Sequence, residues 1–137
     1  MDGFVLDVSA CMPWCCEDEA TAASEQLLRR AALRHPMHVP SIWPWEMINT
    51  VAVAVRRQRI KPEQAASFLG LLVNFDLRIA VGPDIADLPR LNVLASRHRL
   101  TAYDTAYLDL AKRLALPLAT LDNDLKNAAS TEGIDVL

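Results

Sequence analysis

Along the chain, short apolar runs alternate with longer amphipathic stretches. Phe4-Val5-Leu6 has the unbroken apolar character of a buried strand. A helical stretch opens near Ser9 and breaks around Pro13. Residues from about Glu17 to Leu33 form a second helix, with Ala22, Ala23, Leu27 and Leu28 recurring near helical spacing. Met37-His38-Val39 is a short strand ended by Pro40. Ser41 then caps a long helix to about Arg57, and Pro44 is tolerated inside its first turn. Pro62 starts another helix through Phe75, and Leu77 to Val81 is a strand closed by Gly82-Pro83. The next helix runs to about Arg97 and begins late, because Pro89 would interrupt an earlier start. Thr101 caps a helix over 102–115, Pro117 to Ala119 is a strand, a last helix covers 123–131, and Ile134-Asp135-Val136 closes the chain.

Strands separated by helices imply a parallel sheet covered on both faces. With right-handed crossovers this is a three-layer α/β sandwich of four to five short strands. Such sheets carry their sites beyond the carboxyl ends of the strands. At 137 residues the chain suits one domain, spanning 1–137. Hydrophobic residues at 52% and charged residues at 23% exclude a disordered segment. Fourteen Lys and Arg against seventeen Asp and Glu give a net charge of −3, which excludes a strongly basic, passively electrostatic nucleic-acid binder. No apolar run reaches the length of a membrane span, and Asp7 interrupts the N-terminal one, so neither a membrane anchor nor a secretion signal is expected. Cys11, Cys15 and Cys16 crowd one segment, in the wrong pattern for a disulfide framework or a zinc site. They read as buried thiols in a reducing cytoplasm.

The informative residues are four carboxylates without partners. Asp7 directly follows the first strand, and the first Lys or Arg in the chain is Arg29. Ser9 is available to cap the following helix, which frees Asp7 from that duty; its structural alternative is an Asx-turn leaving the strand. Glu46 is the sole charge from Ser41 to Val55, on a helix that is apolar almost all round and therefore buried. Its neighbours one turn away are Trp43, Ile42, Asn49 and Thr50, so no local ion pair forms. Thr101-x-x-Asp104 resembles a capping box, and Asp104 lies at the shoulder of a stripe of Tyr103, Ala106, Tyr107, Leu110, Ala111 and Leu114. Asp109, by contrast, has Lys112 and Arg113 within a turn and reads as an exposed ion pair. Asp122 and Asp124 follow the strand ending at Thr120, and either can cap the last helix. Carboxylates gathered in one pocket repel one another unless divalent cations neutralise them. Oxygen-only ligands select Mg²⁺ or Mn²⁺, and such ions at the mouth of an α/β sheet suit phosphate-ester chemistry.

The segments Val5 to Ser9 (VLDVS), Val39 to Thr50 (VPSIWPWEMINT), Leu100 to Ala111 (LTAYDTAYLDLA) and Leu118 to Leu125 (LATLDNDL) together resemble the PIN-domain family, and within it the VapC-type toxins of bacterial toxin–antitoxin pairs. The resemblance runs over essentially the whole chain. It implies a Mg²⁺-dependent endoribonuclease whose acidic quartet is Asp7, Glu46, Asp104 and Asp122, with Mn²⁺ as a substitute ion. Asp7 and Asp104 would be the most direct metal ligands, Glu46 and Asp122 would complete the pocket, and Asp124 matches a less constant acidic position. Ser9, Asn49 and Thr120 match polar positions around the quartet. An RNA substrate, a homodimer and a cognate VapB-type antitoxin that fills the active-site groove are implied in the same way.

Arg56, Arg57 and Arg59 at one helix end, and Arg97, His98 and Arg99 before the third segment, are candidates to track phosphates. The plain alternative is that they complement helix dipoles. Trp14, Trp43 and Trp45 read as core or interface anchors. A dehalogenase-like phosphatase would want a second Asp where Ser9 stands, and a receiver domain would want a lysine after a late strand. A non-catalytic PIN-like RNA-binding or scaffold domain remains the alternative, which an incomplete quartet would favour.

Overall fold

The computed structural model describes residues 2–137. Four parallel strands form the sheet: β1 (Phe4–Leu6), β2 (Met37–Val39), β3 (Leu77–Ile79) and β4 (Leu118–Ala119). Their order is β3-β2-β1-β4. The helices are α1 (Val8–Cys11), α2 (Ala22–Ala32), α3 (Trp43–Arg56), α4 (Pro62–Leu72), α5 (Leu88–His98), α6 (Ala102–Leu114) and α7 (Asn123–Thr131), with short 3₁₀ turns at Met12–Trp14, Glu17–Glu19 and Ile85–Asp87. The expected α/β sandwich is therefore present. Ile134–Val136 does not make a full fifth strand; Val136 adds a single parallel bridge to Leu118.

The chain steps outward from β1 to β2 to β3, then returns to the other side of β1 as β4. Right-handed crossovers place the helices of these two journeys on opposite faces. The packing agrees, grouping α1 to α4 in one layer and α5 to α7 in the other. The reversal makes the gap between β1 and β4 the switch point of the sheet, where open α/β sheets carry their sites. Phe4, Val5, Leu6, Met37, Val39, Leu118 and Ala119 are all fully buried, which is why the central strands are continuous apolar runs. Gly3 lets β1 approach β2: a Cβ there would meet the Pro36 carbonyl oxygen at 2.7 Å. Among the described residues no helix is long and apolar enough to cross a membrane.

Several local expectations change. The helix expected over 17–33 starts at Ala22, because Thr21 and Ser24 exchange cap hydrogen bonds and set the first turn there. Ser41 does not cap α3. The N-cap position is Ile42, without a side-chain bond, and the turn begins where Pro40 accepts from the Trp43 N–H. Pro89 sits inside the first turn of α5, where a missing N–H costs nothing. Cys11, Cys15 and Cys16 are buried free thiols, as read from their clustering. Trp43 is buried and Trp14 packs edge-on against Phe75, whereas Trp45 is 75% exposed.

The inward face of α6 is also rotated from the expected one. Tyr103 is 58% exposed and Leu114 is exposed, while Thr105, Tyr107, Leu108, Asp109, Leu110 and Ala111 are buried. Asp109 is consequently no surface ion pair. Its side chain is 7% exposed and is gripped by Arg113 Nε at 3.0 Å and by Arg90 from α5, while Lys112 turns to Glu132 instead. A carboxylate so enclosed needs both partners, since a buried charge left without them is strongly destabilising. Asp109→Asn is expected to lower the melting temperature by about 5 °C or more, against no change for Glu63→Gln at an exposed position. Thermal unfolding followed by circular dichroism checks this, and equal melting temperatures for the two variants would contradict it.

Candidate active site

The switch point receives one carboxylate from each of four segments. Asp7 leaves β1 and stands at the N-cap position of α1, but its side chain makes no cap bond. Its Oδ2 instead accepts from Ser9 Oγ and from Thr120 Oγ1, each at 2.6 Å. The backbone fixes the same junction: the Asp7 N–H donates to the Ala119 carbonyl at 2.9 Å, locking β1 to β4. Ser9 Oγ in turn accepts from the Leu121 N–H at 2.9 Å, and Thr120 Oγ1 from the Asp122 N–H at 3.1 Å. Each hydroxyl has a single proton and gives it to Asp7, so the 3.3 Å approach of the two hydroxyls to each other is proximity rather than a shared bond.

Glu46 lies in the first turn of α3, half-buried, with Oε1 accepting from the Tyr107 hydroxyl of α6 at 2.6 Å. Burial raises its carboxyl above the usual range, the tyrosine bond opposes this, and the charge of Asp7 adds to it. Burial, and after it the bond to Glu46, push the Tyr107 phenol far upward, so it remains a donor. Asp104 is the third residue of α6. Its N–H donates to Thr101 Oγ1 at 3.1 Å, but the reciprocal bond of a capping box is absent among the described residues, so its carboxylate is not spent on the cap. That carboxyl is pushed up to about 6, first by burial and then by Asp122, Asp7, Glu46 and Asp124. Asp122 does cap α7, through Oδ1 and the Leu125 N–H at 2.9 Å. Asp124 is exposed in the same first turn.

None of these acids forms a salt bridge with Lys, Arg or His among the described residues. Within the same residues no three acidic, His or Cys side chains stand close enough, as placed, to enclose one ion. The arrangement is an open ring of mutually repelling oxygens rather than a closed cage. Its donors suit a hard divalent cation: they are oxygen only, none is paired with Lys, Arg or His among the described residues, and they repel one another in a way that positive charge would relieve.

Two cavities flank this region without including the four carboxylates in their lining. One of about 660 Å³ runs between the start of α3, α5 and α6, past Asp109. The other, of about 470 Å³, begins at Ser9 and Leu121 beside the carboxylates and follows α3. Of the six basic residues singled out from the sequence, Arg97 and His98 are held by Glu132 at 2.8 and 3.0 Å, and Arg59 by Glu19 at 2.8 Å. Those three are engaged within the fold. The residue that sequence reasoning passed over is Tyr107, counted only as core. Its signal was a phenol, rather than a phenyl ring, at a fully buried position that would need a partner.

A family profile described as the PIN domain matches residues 4–130. Ribonuclease VapC3 of Pyrobaculum aerophilum is 29% identical to the chain over 121 residues, covering 88% of this chain and 90% of that protein. Among solved structures, that of PAE2754 from Pyrobaculum aerophilum superposes with a TM-score of 0.73 at 19% identity, covering 98% of this chain and 89% of the other. That of FitAcB from Neisseria gonorrhoeae gives 0.65 at 17% identity, covering 98% and 96%. The two structures bear on the fold alone.

The raised carboxyl of Asp104 fixes the sign of a pH effect. An unfolded aspartate releases its proton near pH 3.9, whereas the folded one keeps it to about 6. Folding therefore loses stability as pH rises through that interval, and the loss is complete above it. In the presence of a chelator, the melting temperature of the unsubstituted protein is expected to fall between pH 4 and pH 6, with Asp104→Asn falling less and melting higher at pH 8. Parallel profiles for the two proteins would contradict the crowding.

Proposed function

Since the chain belongs to the PIN-domain family, we propose that it is a metal-dependent endoribonuclease, the toxin of a VapBC-type toxin–antitoxin pair, acting as one domain over residues 1–137. The observation that carries this reading is the set of carboxylates Asp7, Glu46, Asp104 and Asp122 near the switch point of the sheet, none of them in a salt bridge among the described residues. The name of the relative Ribonuclease VapC3 supports RNA as the substrate.

Asp7 and Asp104 would hold the ion directly, and Glu46 and Asp122 directly or through water, with Asp124 assisting from the rim. The ion, Mg²⁺ with Mn²⁺ as substitute, supplies the positive charge under which water attacks a phosphodiester. The chain's own contribution is aim. Ser9 and Thr120 draw one oxygen of Asp7 back toward the sheet, which turns the other outward. Tyr107 does the same for Glu46. Asp122 commits one oxygen to the α7 cap and keeps the second. Fixed in this way, the acids need little reorganisation when an ion and a phosphate arrive.

The rest of the reading follows the resemblance: a homodimer, and a cognate VapB-type antitoxin that silences the site by filling its groove. Three free thiols suit a reducing cytoplasm.

Purified, antitoxin-free protein is expected to cut a mixed RNA pool with Mg²⁺ or Mn²⁺ and not with EDTA, and Asp7→Asn or Asp104→Asn to lose at least about a hundredfold. Cutting that survives EDTA and both substitutions would overturn the mechanism. Glu46→Gln is expected to abolish cleavage while holding or raising the melting temperature, because it removes a charge from a crowded site. A variant that keeps full activity but melts several degrees lower would make Glu46 a structural residue, as in a non-catalytic scaffold.

A further inference from the structure

The cavity of about 470 Å³ is lined at one end by Ser9, whose hydroxyl donates to Asp7, and by Leu121, the residue before Asp122. Along α3 its lining repeats at Asn49, Thr50, Val53, Ala54 and Arg57, one face of the helix. Glu46 precedes Asn49 by three residues and lies on that same face. The helix is therefore a track about 16 Å long, with the acidic ring at its start and a guanidinium at its end.

Two arginines touch this cavity, and they differ. Arg59 is held by Glu19, which also lines the cavity. Arg57 makes no salt bridge among the described residues, and it stands at the C-cap position of α3. Arg56, next in sequence and exposed, does not line the cavity. Between the two ends the walls are apolar, from Val53, Ala54 and Leu121, with Asn49 and Thr50 as isolated polar groups. Apolar walls with a few placed donors and acceptors are the composition of a small-molecule or base pocket. A carboxamide can both donate to and accept from a base edge.

We propose that this cavity is a nucleotide subsite for the RNA strand that enters the carboxylate ring: it takes one unstacked base against Val53 and Leu121, with Asn49 at the base edge, while Arg57 binds a phosphate of the flanking backbone. This rests on the ribonuclease reading for the identity of the strand. It adds which side of the site the strand leaves by, and which cation holds it. The net charge of −3 is no obstacle, because a guanidinium lining the cavity and outside any salt bridge among the described residues supplies local attraction there.

The test is binding of a fluorescein-labelled, random-sequence single-stranded RNA of twelve nucleotides, followed by anisotropy from 50 to 300 mM KCl with Mg²⁺. An Asp104→Asn background keeps the RNA intact. Adding Arg57→Ala is expected to weaken binding about tenfold at low salt and to flatten the salt slope by about 0.7, the share of one single-strand phosphate contact. Adding Arg56→Ala is expected to change the slope by less than half of that. Adding Val53→Phe, which fills the pocket without altering charge, is expected to weaken binding and leave the slope unchanged. Equal effects of Arg56→Ala and Arg57→Ala, no effect of Val53→Phe in a variant that melts normally, or no RNA binding at all would each overturn the subsite. Cleavage by the unsubstituted protein is scored separately. RNA that is bound with the expected Arg57 dependence but never cut sinks the nuclease reading and leaves the subsite standing, and RNA that is cut with Arg57 indifferent does the reverse.

Discussion

Like charges held together against their repulsion are the constraint around which the molecule is arranged. Carboxylates crowded at one edge of a sheet would ordinarily be relieved by a neighbouring arginine or lysine. Here they are steadied by neutral donors instead: two hydroxyls on Asp7, a phenol on Glu46 and a backbone amide on Asp122. A neutral donor orients a carboxylate without cancelling its charge, which leaves the field of the ring available to a cation from solution. The cost appears in Asp104, whose proton is held to about pH 6 by burial and by the surrounding acids.

The distribution of cations follows the same logic. Arg90 and Arg113 serve Asp109, Arg97 and Lys112 serve Glu132, Arg78 serves Asp76, and Arg59 serves Glu19. Each of these basic residues is thereby directed to an acid outside the ring. The Asp109 cluster has a further effect: it ties α5 to α6 behind the buried face of α6, and α6 is the helix that presents both Asp104 and Tyr107.

Much of this was legible before any coordinates. The apolar runs marked all four strands, isolated acids stood out at Asp7 after β1 and at Glu46 near the start of α3, and Asp122 and Asp124 stood just past β4. Three kinds of feature were not legible. Tertiary partners of a local-looking pair are invisible in sequence, so Asp109 read as an exposed i to i+4 pair when Arg90, nineteen residues away, encloses it. The phase of a helix with apolar residues on several sides is ambiguous, and α6 turned Leu108 inward and Tyr103 outward. Capping depends on which polar residue the incoming loop delivers, and Pro40 fixed the entry to α3 before Ser41 could. The Tyr107 hydroxyl belongs with the first kind: it spans sixty-one positions to reach Glu46.

The strand order has a consequence in time. β4 is the last of the four strands along the chain, yet it lies beside β1, the first of them, and Asp7 takes one of its two hydroxyl donors from Thr120, 113 residues later. Asp122 follows later still. While the chain is being synthesised, its first four-fifths can assemble β1, β2 and β3 but have neither the second hydroxyl on Asp7 nor the fourth carboxylate. A polypeptide still short of Thr120 thus holds three of the four carboxylates, with Asp7 lacking one of its donors, and the set is completed only when β4 docks beside β1.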